Sequence, residues 1–312
     1  MLGINGRLLL SVCFKMNVML YFEKITPAFL KANRAVINRT GIRLCDYSVG
    51  CLYLWSESFH TFGCIENDTF FSAVYADNET NFYYGFPIGG DIGMAFKLIA
   101  DDADKRKLSP CFCYVPEERL ESVFSIFGKQ KEITFNEDWQ DYLYPYKNFL
   151  GFNGKKLHTP RNHLNAFNKN YESRFEALSS SNAETAKAFL VNNRDEFSKG
   201  DSLSKSELDN AINFIDDVFS LGLNGGLLYA NNDCIGLTIG EVISDTLHIH
   251  TEKALKAYDG SFQALAMNFA VMMQNPSVKY INRQEDMGIE GLRRSKTSYR
   301  PCTLLKKYTI KY

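Results

Sequence analysis

One order of elements occurs twice in this 312-residue chain: three short aromatic and β-branched runs separated by polar turns, then a glycine turn opening a helix, then strand, helix and strand. In the first half the runs lie between Phe59 and Phe86 and break at Glu66-Asn67-Asp68 and Asp77-Asn78-Glu79, the pattern of an antiparallel meander. Gly89-Gly90-Asp91 then opens a helix to about Lys107, before a strand over 111–115, a helix over 117–127 and a strand over 132–135. In the second half the three runs are 226–230, 234–242 and 247–252, joined by Asn231-Asn232-Asp233 and Ser244-Asp245, residues whose side chains stabilise turns. Asp259-Gly260-Ser261 opens a helix with Phe262, Leu265, Phe269 and Met272 on one face, followed by a strand over 278–281, a short helix near 289–297 and a strand over 303–310. A helix precedes each unit. Thr26-Pro27 is an N-cap followed by proline at the first helical position, and Leu208, Ile212, Ile215 and Phe219 recur at helical spacing behind the capping-box pattern Ser204-Lys205-Ser206-Glu207.

This duplication predicts an α+β chain of two tandem domains, each a mixed, mostly antiparallel sheet flanked by helices. The element order resembles that of GCN5-related N-acetyltransferases. The expected domains are 16–150 and 151–312, divided near the aromatic and proline-containing stretch Tyr142-Leu143-Tyr144-Pro145-Tyr146-Lys147. Residues 1–15 read as an N-terminal extension ahead of Met16. Arg7, Lys15 and Asn17 interrupt any 18-residue apolar window there, so no membrane span and a cytoplasmic protein are expected.

A hydrophobic content of 45% can supply large cores, and 35 Lys plus Arg against 36 Asp plus Glu leave a net charge of -1. That balance excludes a global basic footprint, so an anionic partner such as tRNA would have to be met locally. The eight cysteines show no C-x-x-C pair, and no metal site is predicted.

Local chemistry concentrates in four places. Gly154-Lys155-Lys156-Leu157-His158-Thr159-Pro160-Arg161-Asn162-His163 gathers positive charge and donors suited to a phosphate, or else forms a solvated helix face. Leu247-His248-Ile249-His250-Thr251-Glu252 alternates, so His248, His250 and Glu252 share a strand face that could line a cleft. The Asp259-Gly260-Ser261-Phe262-Gln263 turn is placed to present free amides to an anion, which the Asp259 carboxylate would repel. From Lys279 to Tyr312, nine basic residues face three acidic ones. Within that stretch Asn282-Arg283-Gln284-Glu285-Asp286 follows a strand, and Arg293 and Lys296 share a helical face with Glu290, giving either a phosphate clamp or an ion-pair ladder.

Asp141-Tyr142-Leu143-Tyr144, Gly154 to His158 with Arg161-Asn162-His163, His250-Thr251-Glu252-Lys253, and Asn282 to Gly288 leading to Gly291-Leu292-Arg293-Arg294-Ser295-Lys296 and Tyr299-Arg300-Pro301 together resemble a bacterial family. That family is allied to the C-terminal domain of phosphatidylglycerol lysyltransferase. The resemblance runs over nearly the whole chain after Met16. It implies two tandem acetyltransferase-like folds and relatives that move an aminoacyl group from charged tRNA to a lipid.

The expected activity is therefore acyl-group transfer from aminoacyl-tRNA to an amine or hydroxyl acceptor, a small molecule or a lipid. An acyl-CoA-dependent N-acyltransferase and a non-catalytic ligand-binding protein are the alternatives. For such chemistry Glu241, His250, Glu252, Glu285 and Asp286 form the pool of acid and base groups. Lys155, Lys156, Arg161, Asn162, Lys253, Asp259, Gly260, Gln263, Asn282, Arg283, Arg293 and Lys296 are the candidates for holding the donor. No cofactor is expected beyond the acyl-CoA or aminoacyl-tRNA donor itself.

Overall fold

A computed structural model describes residues 19–76, 81–198 and 202–312. The proposed extension, Cys13 and the Asp77-Asn78-Glu79 turn lie outside them. The first half of the chain forms β1 (Glu23–Lys24), α1 (Pro27–Ile37), α2 (Val49–Trp55), β2 (Thr61–Glu66), β3 (Thr69–Ala76), β4 (Asn81–Gly85), β5 (Ile88–Gly89), α3 (Ile92–Arg106), β6 (Cys111–Pro116), α4 (Leu120–Phe127), β7 (Glu132–Phe135) and β8 (Asp141–Pro145). The second half forms α5 (His158–Asn170), β9 (Ser173–Ala177), α6 (Ala183–Asn192), α7 (Arg194–Phe197), α8 (Ser202–Asp217), β10 (Asn224–Ala230), β11 (Asp233–Ile243), β12 (Thr246–Ala254), α9 (Ser261–Met272), β13 (Tyr280–Asn282), α10 (Glu290–Ser298), β14 (Thr303–Leu305) and β15 (Lys307–Lys311).

The helix starts follow local chemistry. The Thr26 hydroxyl accepts the Phe29 amide at 3.1 Å ahead of Pro27, and the Asp91 carboxylate accepts the Met94 amide at 2.7 Å to open α3, each satisfying an amide that has no partner within its helix. The capping-box residues Ser204 to Glu207 instead lie inside α8.

Both meanders form as predicted, and the strands assemble into two mixed sheets flanked by helices. One has the order β1-β2-β3-β4-β6-β15-β7 with β5 beside β3, the other β14-β8-β13-β12-β11-β10-β9. Two apolar cores follow, one around Phe70, Phe96 and Phe112, the other around Tyr144, Phe167 and Phe269. Each fully buried aromatic of this kind contributes about 1.5–3 kcal/mol of transfer free energy.

The sheets exchange strands. The strand expected over 303–310 is two: β14 pairs with β8 in the second sheet, while β15 crosses to the first and lies between β6 and β7. The alternation of Thr303 to Ile310 breaks at Leu304-Leu305 and Lys306-Lys307, where the chain crosses from one sheet to the other. Conversely β8, read from sequence as a bridge, is an inner strand of the second sheet between β14 and β13.

A buried polar cluster joins the exchanged strands. The Lys307 ammonium on β15 lies 2.8 Å from Asp46 and 3.3 Å from Asp141 on β8, with Glu285 at 3.7 Å. Asp141 Oδ2 also accepts the Cys45 amide and the Asn282 side-chain amide, each at 2.7 Å. Ligand-type atoms of Cys45, Asp46 and Asp141 fall within 4.8 Å of one another, and the Lys307 ammonium sits against both of these carboxylates.

Candidate functional site

Strands β12 and β13 run parallel but pair only from Thr246 with Tyr280 to His248 with Asn282. Beyond that point they separate, and a cavity of about 190 Å3 opens between them, lined by Ile249, His250, Glu252, Arg283, Gln284 and Lys296 among others.

The loop leaving β13 forms one wall, and its shape follows from a few side chains. Asn282 Oδ1 accepts the Gln284 amide at 2.7 Å, and Gln284 adopts the left-handed region at φ 58°, uncommon for a residue with a side chain. This turn aims successive carbonyls inward. The Lys296 ammonium donates to the carbonyls of Arg283 at 2.6 Å, Gln284 at 3.2 Å and Glu285, which uses all three of its donors. Burial pushes the Lys296 ammonium down to about 8. Its place is therefore that of a loop clamp carrying a positive charge beside the cavity.

Asp286 and Arg293 hold the far end of the same loop. Asp286 accepts the Tyr142 hydroxyl at 2.6 Å, the Gly288 amide at 2.9 Å and Arg293 Nε at 2.9 Å, while Arg293 also reaches Asp138. Both are spent on one another and on the fold.

His250 stands on the opposite wall, with the buried Glu241 behind it. Ile239 pairs with Thr251 and Gly240 with Ile249, which leaves His250 without a partner across the ladder, a bulge that redirects its side chain. Its Nε2 lies 3.1 Å from Glu241 Oε1, and the Gly50 amide of α2 donates to the same oxygen at 2.8 Å. Burial would raise the Glu241 carboxyl, but the bonds from His250 and Gly50 outweigh it and hold the group below its usual range. A carboxylate only accepts, so Nε2 carries the ring proton. Nδ1 has no partner, so the ring is held from one side by a carboxylate, the arrangement of an oriented imidazole base.

Beneath it the His248 ring stacks at 6.4 Å. Burial, reinforced by His250, pushes His248 down to about 4, so it is neutral at pH 7.

Two ion pairs complete the lining. Arg283 Nη2 binds Glu252, and its guanidinium lies 4.5 Å over the Tyr299 ring. Lys253 binds Glu207 of α8 at 2.6 Å. Arg283 Nη1 and Gln284 Nε2 are buried donors without an acceptor.

The remaining sequence candidates lie apart from this cavity's lining. Lys155, Lys156 and Asn162 are exposed around the start of α5, and Arg161 is spent on the Gly154 carbonyl at 2.9 Å. Asp259 pairs with His163 at 2.9 Å, and a Cβ on Gly260, whose φ is 82°, would meet the His163 carbonyl oxygen at 2.1 Å. Helix α5 thus lies directly against the turn that opens α9. Gln263 lies beside the Tyr299 hydroxyl. Asn282 and Glu285 belong to the Lys307 cluster.

Sequence reasoning gave no role to Gly50, Gln284 or Lys307. For Gly50 a signal existed, a lone glycine within the apolar run Val49-Gly50-Cys51-Leu52, which marks close approach of a neighbour; a Cβ there would meet His250 Cδ2 at 2.2 Å. A larger cavity of about 820 Å3 lies along β8, β13 and β14, bordered by Arg43, Lys147, Lys279 and Tyr280.

Two sheets built from the repeated order, the second split between two parallel strands around a polar cavity, define a pair of tandem GCN5-related acetyltransferase-like domains. Over residues 37–311 the chain matches the family described as phosphatidylglycerol lysyltransferase, C-terminal, and it belongs to that family. An uncharacterized protein of Mycoplasmoides gallisepticum is 30% identical over 181 residues, covering 56% of this chain and 57% of that one, so the match spans little more than half of that relative. A conserved protein of unknown function from Bacteroides thetaiotaomicron superposes with a TM-score of 0.82 at 28% identity, covering 94% of this chain and 99% of that one. The L-PGS structure from Bacillus licheniformis superposes with a TM-score of 0.66 at 14% identity over 93% of both chains, a likeness of fold. Family and fold point to an acyltransferase. Among the described residues no helix is long and apolar enough to cross a membrane.

Proposed function

We propose that the chain transfers an aminoacyl group from aminoacyl-tRNA to an amine or hydroxyl acceptor in the cavity between β12 and β13. The observation that carries this reading is His250, a residue lining the cavity whose ring is fixed by Glu241 through Nε2 and whose Nδ1 has no partner in the fold. An acceptor O–H or N–H attacking an ester carbonyl must lose its proton, and a positioned imidazole is the usual base. The family's name, a lysyltransferase, supports an aminoacyl group as cargo.

An acyl-CoA donor is disfavoured by α5. In this fold a pyrophosphate would seek the amides opening α9, where the His163 carbonyl lies against Gly260 and the Asp259 carboxylate stands beside it. Both groups are electron-rich and repel phosphate.

The test is loss of label from charged tRNA in the presence of the purified protein, set against thiol release from acetyl-CoA. Faster loss from charged tRNA, reduced in His250→Gln, supports the reading. Thiol release without any effect on charged tRNA would replace it with the acyl-CoA alternative.

A further inference from the structure

Two neighbouring residues that line the cavity each carry a buried donor with nothing to donate to. Arg283 is locked: Nη2 is committed to Glu252, the plane rests 4.5 Å over Tyr299, and its side chain is 10% exposed, leaving Nη1 unpaired. Gln284 is fixed at its backbone by the Asn282 side chain and by the Lys296 ammonium on its carbonyl, leaving Nε2 unpaired. A buried donor without an acceptor costs about 1–3 kcal/mol. Two on consecutive residues of one clamped loop, beside a caged ammonium, suit a ligand that brings an oxygen on which negative charge develops.

We propose that Arg283 and Gln284 together hold the carbonyl oxygen of the acyl group being transferred, and then the oxyanion it becomes. This rests on the acyl-transfer reading above and assigns the electrophilic half of that site. As the acceptor heteroatom bonds to the carbonyl carbon, the carbonyl π pair moves onto the oxygen held by Arg283 Nη1 and Gln284 Nε2, and the acceptor's proton passes to His250 Nδ1. The oxyanion then re-forms the carbonyl, the carbon–oxygen bond to the ribose breaks, and His250 returns the proton to the departing ribose oxygen. No oxidant or further reactant is needed.

Gln284→Leu removes the donor at nearly constant volume, and Gln284→Asn keeps an amide. With aminoacyl-tRNA as donor, kcat of the Leu variant should fall about 100-fold, with KM for charged tRNA and the melting temperature little changed, and Asn should restore part of the loss. Native kcat in the Leu variant, or a loss confined to KM, would overturn the assignment.

A native protein that turns over neither charged tRNA nor acetyl-CoA would defeat the acyl-transfer reading by itself. Binding of an aminoacyl phosphonate ester of adenosine would then decide the role of the pair. Binding about tenfold tighter to native protein than to Gln284→Leu supports it, and equal binding overturns it.

Discussion

The Lys307 ammonium lies 3.3 Å from Asp141, and each stands on a strand inserted into the sheet built mainly by the other half of the chain. This ion pair links the two exchanged strands, which the ladders of β8 and β15 hold in their sheets. Through Glu285, whose carboxylate faces Lys307 and whose carbonyl binds Lys296, the same cluster reaches the loop that walls the cavity.

Removing that ammonium should be costly. Lys307→Met would leave Asp46 and Asp141 buried without their cation, and loss of one partner of a buried pair costs about 3–5 kcal/mol. Urea denaturation should show that drop with both halves unfolding earlier. A change below 1 kcal/mol, about the value of an exposed pair, would remove Lys307 from this role.

Asp46 gives the cluster a pH signature. Burial, outweighing Lys307, raises its carboxyl from 3.8 to about 6. Between those values the folded state binds more protons than the unfolded state, so the contribution of Asp46 to stability is fully present below pH 4 and is lost as pH rises through 6. In Asp46→Asn the fall in stability from pH 4 to pH 6.5 should be shallower than in native protein, as read by denaturation at each pH.

His248 acts with the opposite sign. Its ring is depressed from 6.5 to about 4, so its contribution is present above pH 6.5 and is lost as pH falls toward 4. Both ring nitrogens lack partners, so His248→Leu should be close to neutral at pH 7.5 and stabilising at pH 5. Thermal melts at the two pH values check this, and a loss at pH 5 would contradict it.

Gly50 tests the setting of His250. In helical backbone alanine is intrinsically favoured over glycine, yet a Cβ at this position would sit 2.2 Å from the His250 ring. Gly50→Ala should therefore keep a cooperative melt while transfer falls about 100-fold, the scale of an ångström's misplacement of a reacting group. Native activity in this variant would free His250 from the proposed role.

Sequence alone revealed what is local. The turns Asn231-Asn232-Asp233 and Ser244-Asp245 and the alternation between them define the second meander, and Thr26-Pro27 marks the start of α1. The fate of 303–311 was hidden because β14 and β15 are separated by Lys306 alone; the doubled Leu304-Leu305 and Lys306-Lys307 break the alternation there, but the partners of the two strands are set by distant residues. For the site, His250 and Glu252 could be placed on a strand near a cleft, but the tautomer of His250 depends on Glu241 and Gly50, the latter 200 residues away in sequence. From sequence Asp286 is a candidate acid or base and Arg293 a candidate phosphate holder or ion-pair partner; they pair with each other, and the contacts that complete their use, from Tyr142 and Asp138, are long-range. At the Asp259 turn the sequence already places a carboxylate among the amides that open α9, while the helix α5 packed against that turn could not be foreseen.

The most direct measurement is a crystal structure of the protein with a non-hydrolysable 3′-aminoacylamino-adenosine, the end of a charged tRNA with its ester replaced by an amide. The account predicts the ligand between β12 and β13, its carbonyl oxygen within hydrogen-bonding distance of Arg283 Nη1 and Gln284 Nε2 and its carbonyl carbon facing His250. A ligand seated instead in the larger cavity beside Arg43 and Lys147, with the β12–β13 cavity unaltered, would contradict it.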